Sequence, residues 1–139
     1  MNAVLLVAHA PLAQALRQAA LHVLPDAGAD VLAVDVQAEA TPEQSLALAR
    51  AALARLGQRP GVLILSDVVG ATPCNVASRL VQPPHSELLA GVNLPMLLRA
   101  LSYRGESLEM MAERAVAGGV QGIRSVAAAT SRTATASSP

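Results

Sequence analysis

Three features of the sequence predict an α/β domain with a mainly parallel open sheet and helices on both faces. Short continuous apolar runs, residues 3 to 8 and 62 to 65 the clearest, suit strands covered on both sides better than alternating, half-wet ones. Between the runs lie segments with apolar residues at helical spacing, opened by cap residues and prolines. Strand and helix alternate four times, the pattern of parallel strands joined by crossover helices.

The first run delivers His9 to the start of a helix in which Pro11 is expected in the first turn, where a missing N–H costs nothing, followed by Leu12, Leu16, Ala19, Ala20 and Val23. That helix stops near Pro25 and Gly28. Val31 to Val36 reads as the second strand. Thr41-Pro42-Glu43-Gln44 then forms a capping box, with Thr41 as N-cap, Pro42 at N1 and Gln44 at N3, and Leu46, Ala49, Leu53 and Leu56 carry the helix to Gly57. Arg59-Pro60-Gly61 turns the chain into the third strand, Val62 to Ser66.

The loop from Asp67 to Ala71 leads into a helix expected through Val81, with Thr72 as N-cap and Pro73 at N1. Glu87 to Val92 reads as the fourth strand, and Asn93 caps a helix with Leu97, Leu98 and Leu101 on its buried stripe. A last helix runs from Leu108 to about Ala117, where Gly118-Gly119 is expected to close it. Ile123 to Val126 is a weak final strand, and residues 127–139, rich in Ala, Thr and Ser without periodicity, read as a disordered tail behind a domain of residues 1–126.

Composition narrows the function. The chain of 139 residues is 53% apolar, with no Phe or Trp and one Tyr, so its core is aliphatic. Ten basic residues balance ten acidic ones, leaving no basic field for nucleic acid or an anionic membrane, and stacking aromatics are missing too. No apolar stretch approaches the roughly 20 residues that cross a bilayer, and no basic leader opens the chain. With one cysteine there is no internal disulfide, and a cytoplasmic location is expected.

In an open parallel sheet the ligand crevice lies outside the carboxyl ends of the strands, where His9, Asp67 and Asn93 all stand. A neutral imidazole is a good nucleophile toward phosphorus when its other nitrogen is held as N–H by an acceptor, and Asp67 offers that acceptor. Gly70-Ala71-Thr72-Pro73 offers a small-residue approach, the Thr72 hydroxyl and a helix start for phosphoryl oxygens; a second helix start follows His9 itself. The plainer reading is that His9 is a solvated loop residue and Asp67 a routine turn or cap. His22 and His85 have no companion at metal-ligand spacing and read as structural, so no metal site is expected. Cys74 and Arg79 are separated by four residues where a phosphatase loop has five, and Cys74 reads as a small buried residue. Arg79 and Arg99 read as solvated helix charges.

The strand ending in His9, the segment Ser66-Asp67-Val68-Val69-Gly70-Ala71-Thr72-Pro73-Cys74-Asn75-Val76-Ala77-Ser78-Arg79 and the segment Ala90-Gly91-Val92-Asn93-Leu94-Pro95-Met96-Leu97 together resemble the IIA domain of the mannose-type family of the bacterial sugar phosphotransferase system. The resemblance implies a phosphotransferase that takes a phosphoryl group from the carrier HPr onto His9, oriented by Asp67, and passes it to a separate IIB protein or a regulatory acceptor without a cofactor. The family's small hydroxyl residue falls on Thr72, with Gly70 and Ala71 beside it. The resemblance also implies a homodimer that exchanges a C-terminal strand, here near Gly122 to Val126. There are two departures from the family pattern: Ala10 stands where glycine is common, and Val69, Gly70 and Ala71 stand where an aromatic and paired glycines are frequent. The alternatives are a non-catalytic regulator with the same crevice and the phosphoryl-carrying subunit of dihydroxyacetone kinase.

Overall fold

A computed structural model describes residues 1–127 of the chain. Four strands, β1 (Ala3–His9), β2 (Val31–Val36), β3 (Val62–Ser66) and β4 (Ser86–Ala90), form one sheet in the order β2-β1-β3-β4, and every pairing is parallel. Among the described residues five α-helices join or follow them: α1 (Leu12–Val23), α2 (Pro42–Arg55), α3 (Thr72–Ser78), α4 (Leu94–Ser102) and α5 (Leu108–Gln121), with a short 3-10 helix at Pro25–Asp30. The expected α/β sheet is therefore present.

Strand alternation sorts the core into two layers. Val4, Leu6 and Ala8 of β1 and Leu63 and Leu65 of β3 pack with Ala13 and Ala20 of α1, Leu97 and Leu101 of α4 and Met111 of α5. Ala3, Leu5 and Val7, with Val62 and Ile64, pack on the other face with Leu46 and Ala49 of α2 and Val76 and Ala77 of α3. Residues 3 to 8 are wholly buried, as their unbroken apolar run requires. Each fully buried Leu or Ile contributes about 1.5–3 kcal/mol.

The Thr41 capping box forms as read: Gln44 N–H donates to Thr41 Oγ1 at 3.1 Å and Thr41 N–H to Gln44 Oε1 at 2.9 Å. Asn93 caps α4 through Met96 N–H at 2.9 Å and also donates from Nδ2 to Gly119 O at 3.1 Å, fastening α5 to the start of α4.

Several expectations are corrected. Pro11 stands before α1, its carbonyl accepting from Ala15 N–H, because the first-turn N–H groups are taken by Asp35 on β2. Helix α3 starts with Thr72 at N1, Ala71 having the extended N-cap conformation, and it ends at Ser78. Strand β4 covers residues 86–90, although Val92 N–H still reaches Ser66 O at 3.0 Å.

Helix α5 passes straight through Gly118-Gly119, which serve helix contact instead of termination. A Cβ on Gly118 would stand 2.6 Å from Arg99 Cβ, and one on Gly122 would stand 2.5 Å from Pro95 Cβ. The glycines let α4 and α5 approach closely. Ile123 to Val126 form no strand: no strand among the described residues lies beside them and Val126 is already helical, and Ile123 and Val126 are exposed. Apart from exposed Ala127, the expected tail lies outside the described residues.

The entry ends of the strands are bound by charge. Asp30, just before β2, accepts from Arg59 Nη1 at 2.6 Å and from Arg104 Nε at 2.7 Å. Arg59 also reaches Ala29 O, and Arg104 reaches Leu101 O at the end of α4. Burial pushes the Asp30 carboxyl up, but the two arginines outweigh it and hold it below its ordinary value.

Candidate functional site

Strands β1 and β3 are neighbours, but β1 connects onward to β2 on one side while β3 lies on the other, so the exits of β1 and β3 flank the point where the strand order reverses. His9 ends β1 and Asp67 follows β3 directly. Asp67 Oδ2 lies 2.7 Å from His9 Nδ1 and accepts the His9 backbone N–H at 3.1 Å; Asp67 Oδ1 accepts Val68 N–H at 3.0 Å. The Asp67 side chain is only 8% exposed, whereas that of His9 is 53% exposed.

A carboxylate against Nδ1 assigns the ring proton to that nitrogen, which leaves the lone pair on Nε2. Burial raises the tendency of Asp67 to hold a proton, but hydrogen bonds from the His9 ring and backbone outweigh it and keep the carboxyl below its ordinary value. The arrangement is a half-exposed nucleophilic nitrogen backed by a fixed anion.

The residues expected around the phosphoryl group follow on the loop to α3. Gly70 has φ +84°, a left-handed conformation that glycine adopts without strain, Ala71 is extended, and Thr72 is exposed at the first turn. The N–H groups of that turn lack intrahelical partners, as at any helix start. None of these three makes a side-chain hydrogen bond to His9 or Asp67. Exposed Val68 and Val69 form the crest of the loop.

Sequence reading missed Asp35. Its Oδ1 accepts Ala13 N–H at 2.9 Å and Gln14 N–H at 3.3 Å, so the helix start behind His9 already carries a carboxylate. Asp35 lies on the α1 face of β2, and alternation along β1 sends the His9 side chain to the opposite face, toward α3. An aspartate at a strand end 22 residues from the helix it caps leaves no local signal.

A family profile described as EIIA-man, PTS system fructose IIA component, matches residues 3–117. The chain belongs to this family. Among curated EIIA-man relatives, the PTS system mannose-specific EIIAB component of Escherichia coli strain K12 is 41% identical over 81 residues, taking in 56% of this chain and 25% of that protein. The same component of Shigella flexneri matches equally. The matched segment thus spans about a quarter of the length of these curated relatives.

Among solved structures, the mannose/sorbose-specific IIA subunit of the phosphotransferase system from Enterococcus faecalis superposes with a TM-score of 0.80 at 26% identity, covering 89% of this chain and 93% of that one. The phosphotransferase component EIIA from Streptococcus agalactiae shares the fold, with a TM-score of 0.78 at 22% identity over 92% of this chain and 99% of that one. As an EIIA-man member the chain is a phosphotransferase-system component of mannose type.

Away from the His9 site, His22 is exposed near the end of α1, His85 is half-buried, and Cys74 is half-buried in the first turn of α3. No group of three or more metal-ligating side chains occurs among the described residues. No helix among them is long and apolar enough to cross a membrane.

Proposed function

We propose that this EIIA-man domain carries a phosphoryl group on His9, received from phospho-HPr and delivered to a IIB protein or a regulatory acceptor. The observation that carries the reading is the 2.7 Å contact between His9 Nδ1 and Asp67 Oδ2 on a ring that is half exposed. The lone pair of Nε2 attacks phosphorus; the new N–P bond forms as the P–N bond to the donor imidazole breaks, and the donor nitrogen keeps that electron pair. His9 retains its Nδ1 proton and becomes cationic, and the Asp67 carboxylate balances the charge.

Thr72, with the backbone N–H groups of Gly70 and Thr72, steadies the phosphoryl oxygens beside Ala71, whose own N–H donates to Val68 O at 3.4 Å. The helix start at α1 is closed to that role by Asp35, which favours approach from the α3 side. The phosphorus arrives activated on a donor imidazole, so the transfer calls for no metal or organic cofactor.

The domain works as a homodimer in which the segment near Gly122 to Val126 pairs with the partner's sheet. Among the described residues the outer edge of β4 is unpaired, and beside it lies a groove of about 540 Å³ lined by Leu89, Ala112 and Val116 with Glu87, Glu109 and Glu113. The segment offers exposed Ile123 and Val126 on either side of Arg124, an apolar and basic complement.

Purified protein incubated with phosphoenolpyruvate, enzyme I and HPr is expected to gain one acid-labile phosphoryl group by intact mass. The gain is lost in His9→Ala. An unlabelled wild type leaves the domain as a binding module instead.

A further inference from the structure

Ser66, the last residue of β3, carries a hydroxyl that no group among the described residues meets. The residue is wholly buried, and its Oγ has no hydrogen-bond partner among the described residues. A buried polar atom left unpaired weakens the folded state, and native chains rarely keep one without a use for it. Alanine would fill the same strand position without that loss.

The position of the hydroxyl indicates the use. Ser66 pairs with Val7 across the sheet, and alternation places its side chain on the α2 and α3 face, the face of Ile64 and Val7. His9, two residues beyond Val7, projects to the same face. The hydroxyl therefore stands one pleat below the imidazole, one peptide from Asp67, and on the side where α3 begins. The main chain there is firmly held: Ser66 O accepts Val92 N–H at 3.0 Å and Asp67 O accepts Gly91 N–H at 2.9 Å.

We propose that Ser66 is a positioning residue for the phosphorylated form, its hydroxyl joining the hydrogen-bond network that takes up the added negative charge once His9 bears a phosphoryl group. The inference rests on the phosphoryl-carrier reading. In the resting form the donor waits unpaired; in the loaded form the loop of Asp67 to Thr72 gathers around the phosphoryl oxygens and the donor finds its acceptor. The resting state is thereby raised relative to the loaded one, which favours acceptance.

Thermal unfolding, single-turnover transfer from phospho-HPr and a phosphorus NMR pH titration of the loaded protein, applied to wild type, Ser66→Ala and Ser66→Thr, test this. The unphosphorylated Ser66→Ala protein is expected to melt above wild type. Its transfer rate is expected to fall about tenfold, as for one hydrogen bond to a charged group. Its phosphoryl titration moves to higher pH, and Ser66→Thr restores rate and titration. Higher melting with unchanged transfer and titration overturns the proposal. Lower melting of Ser66→Ala also overturns it, by showing the hydroxyl already partnered at rest. A wild type that takes no label overturns the carrier reading, and this inference with it, whereas labelling of wild type and Ser66→Ala at equal rates overturns this inference alone.

Discussion

A single oxygen of Asp67, Oδ2, receives both the backbone N–H and the ring nitrogen Nδ1 of His9, at 3.1 and 2.7 Å. The imidazole therefore cannot turn about its own bonds without breaking a contact to the atom that also anchors its main chain. Ring orientation and strand-end geometry are one constraint.

Asp67→Asn keeps the shape but removes the charge, and with its amide oxygen toward His9 it turns an NH2 onto the Val68 N–H that Oδ1 accepts. Transfer onto His9 is expected to slow about a hundredfold or more, as when an orienting carboxylate is neutralised elsewhere. Stopped-flow or quench transfer from phospho-HPr checks it, with a far-UV spectrum showing the fold retained.

Asp35→Ala strips the carboxylate from the first turn of α1. The loss is expected to be about 1 kcal/mol, the usual worth of an N-cap, with Asp35→Asn nearer to wild type because an amide oxygen still accepts. Urea unfolding of the two variants measures it.

Gly118→Ala brings a Cβ to 2.6 Å from Arg99 Cβ, and α4 and α5 must separate to admit it. A destabilisation of about 1–3 kcal/mol is expected. Gly105→Ala is the control, since an added Cβ there meets nothing within 4 Å. Equal melting temperatures for the two variants would sink the close-packing account.

Asp30 between Arg59 and Arg104 gives a pH signature. Its folded-state pKa lies below the ordinary 3.8, so the stability it supplies is present above 3.8 and is lost as pH falls through the lower folded value. Asp30→Asn is expected to cost about 2 kcal/mol near neutrality. The difference from wild type should close as the solution is acidified below 3.8, as followed by denaturant unfolding across the acid range.

What was legible in the sequence was what local chemistry writes. The runs at β1 and β3 have no polar interruption, so their burial on both faces and parallel pairing could be read; so could Thr41 and Gln44, whose reciprocal bonds span one turn. His9 and Asp67 were readable as neighbours because each follows a strand of the same sheet. Asp35 was not, since its partners lie on another element.

Gly118-Gly119 misled for a related reason: glycine usually ends helices, and only the approach of Arg99 and Met96 reveals that here it admits a neighbour. Thr72 was misplaced by one residue because Ala71, with no capping side chain, holds the N-cap conformation. The strand read at Ile123 to Val126 is absent: the stretch pairs with none of the four strands, and helical geometry begins at Val126.

The ionic clasp of Asp30, Arg59 and Arg104 grips the strands where they enter the sheet, while His9 and Asp67 stand where the strands leave it. One end is a foundation and the other a workbench. Loops at the exits can be lengthened, shortened or recoloured without loosening the end that keeps the sheet in register. A lineage built this way can change whom it meets while preserving how it stands.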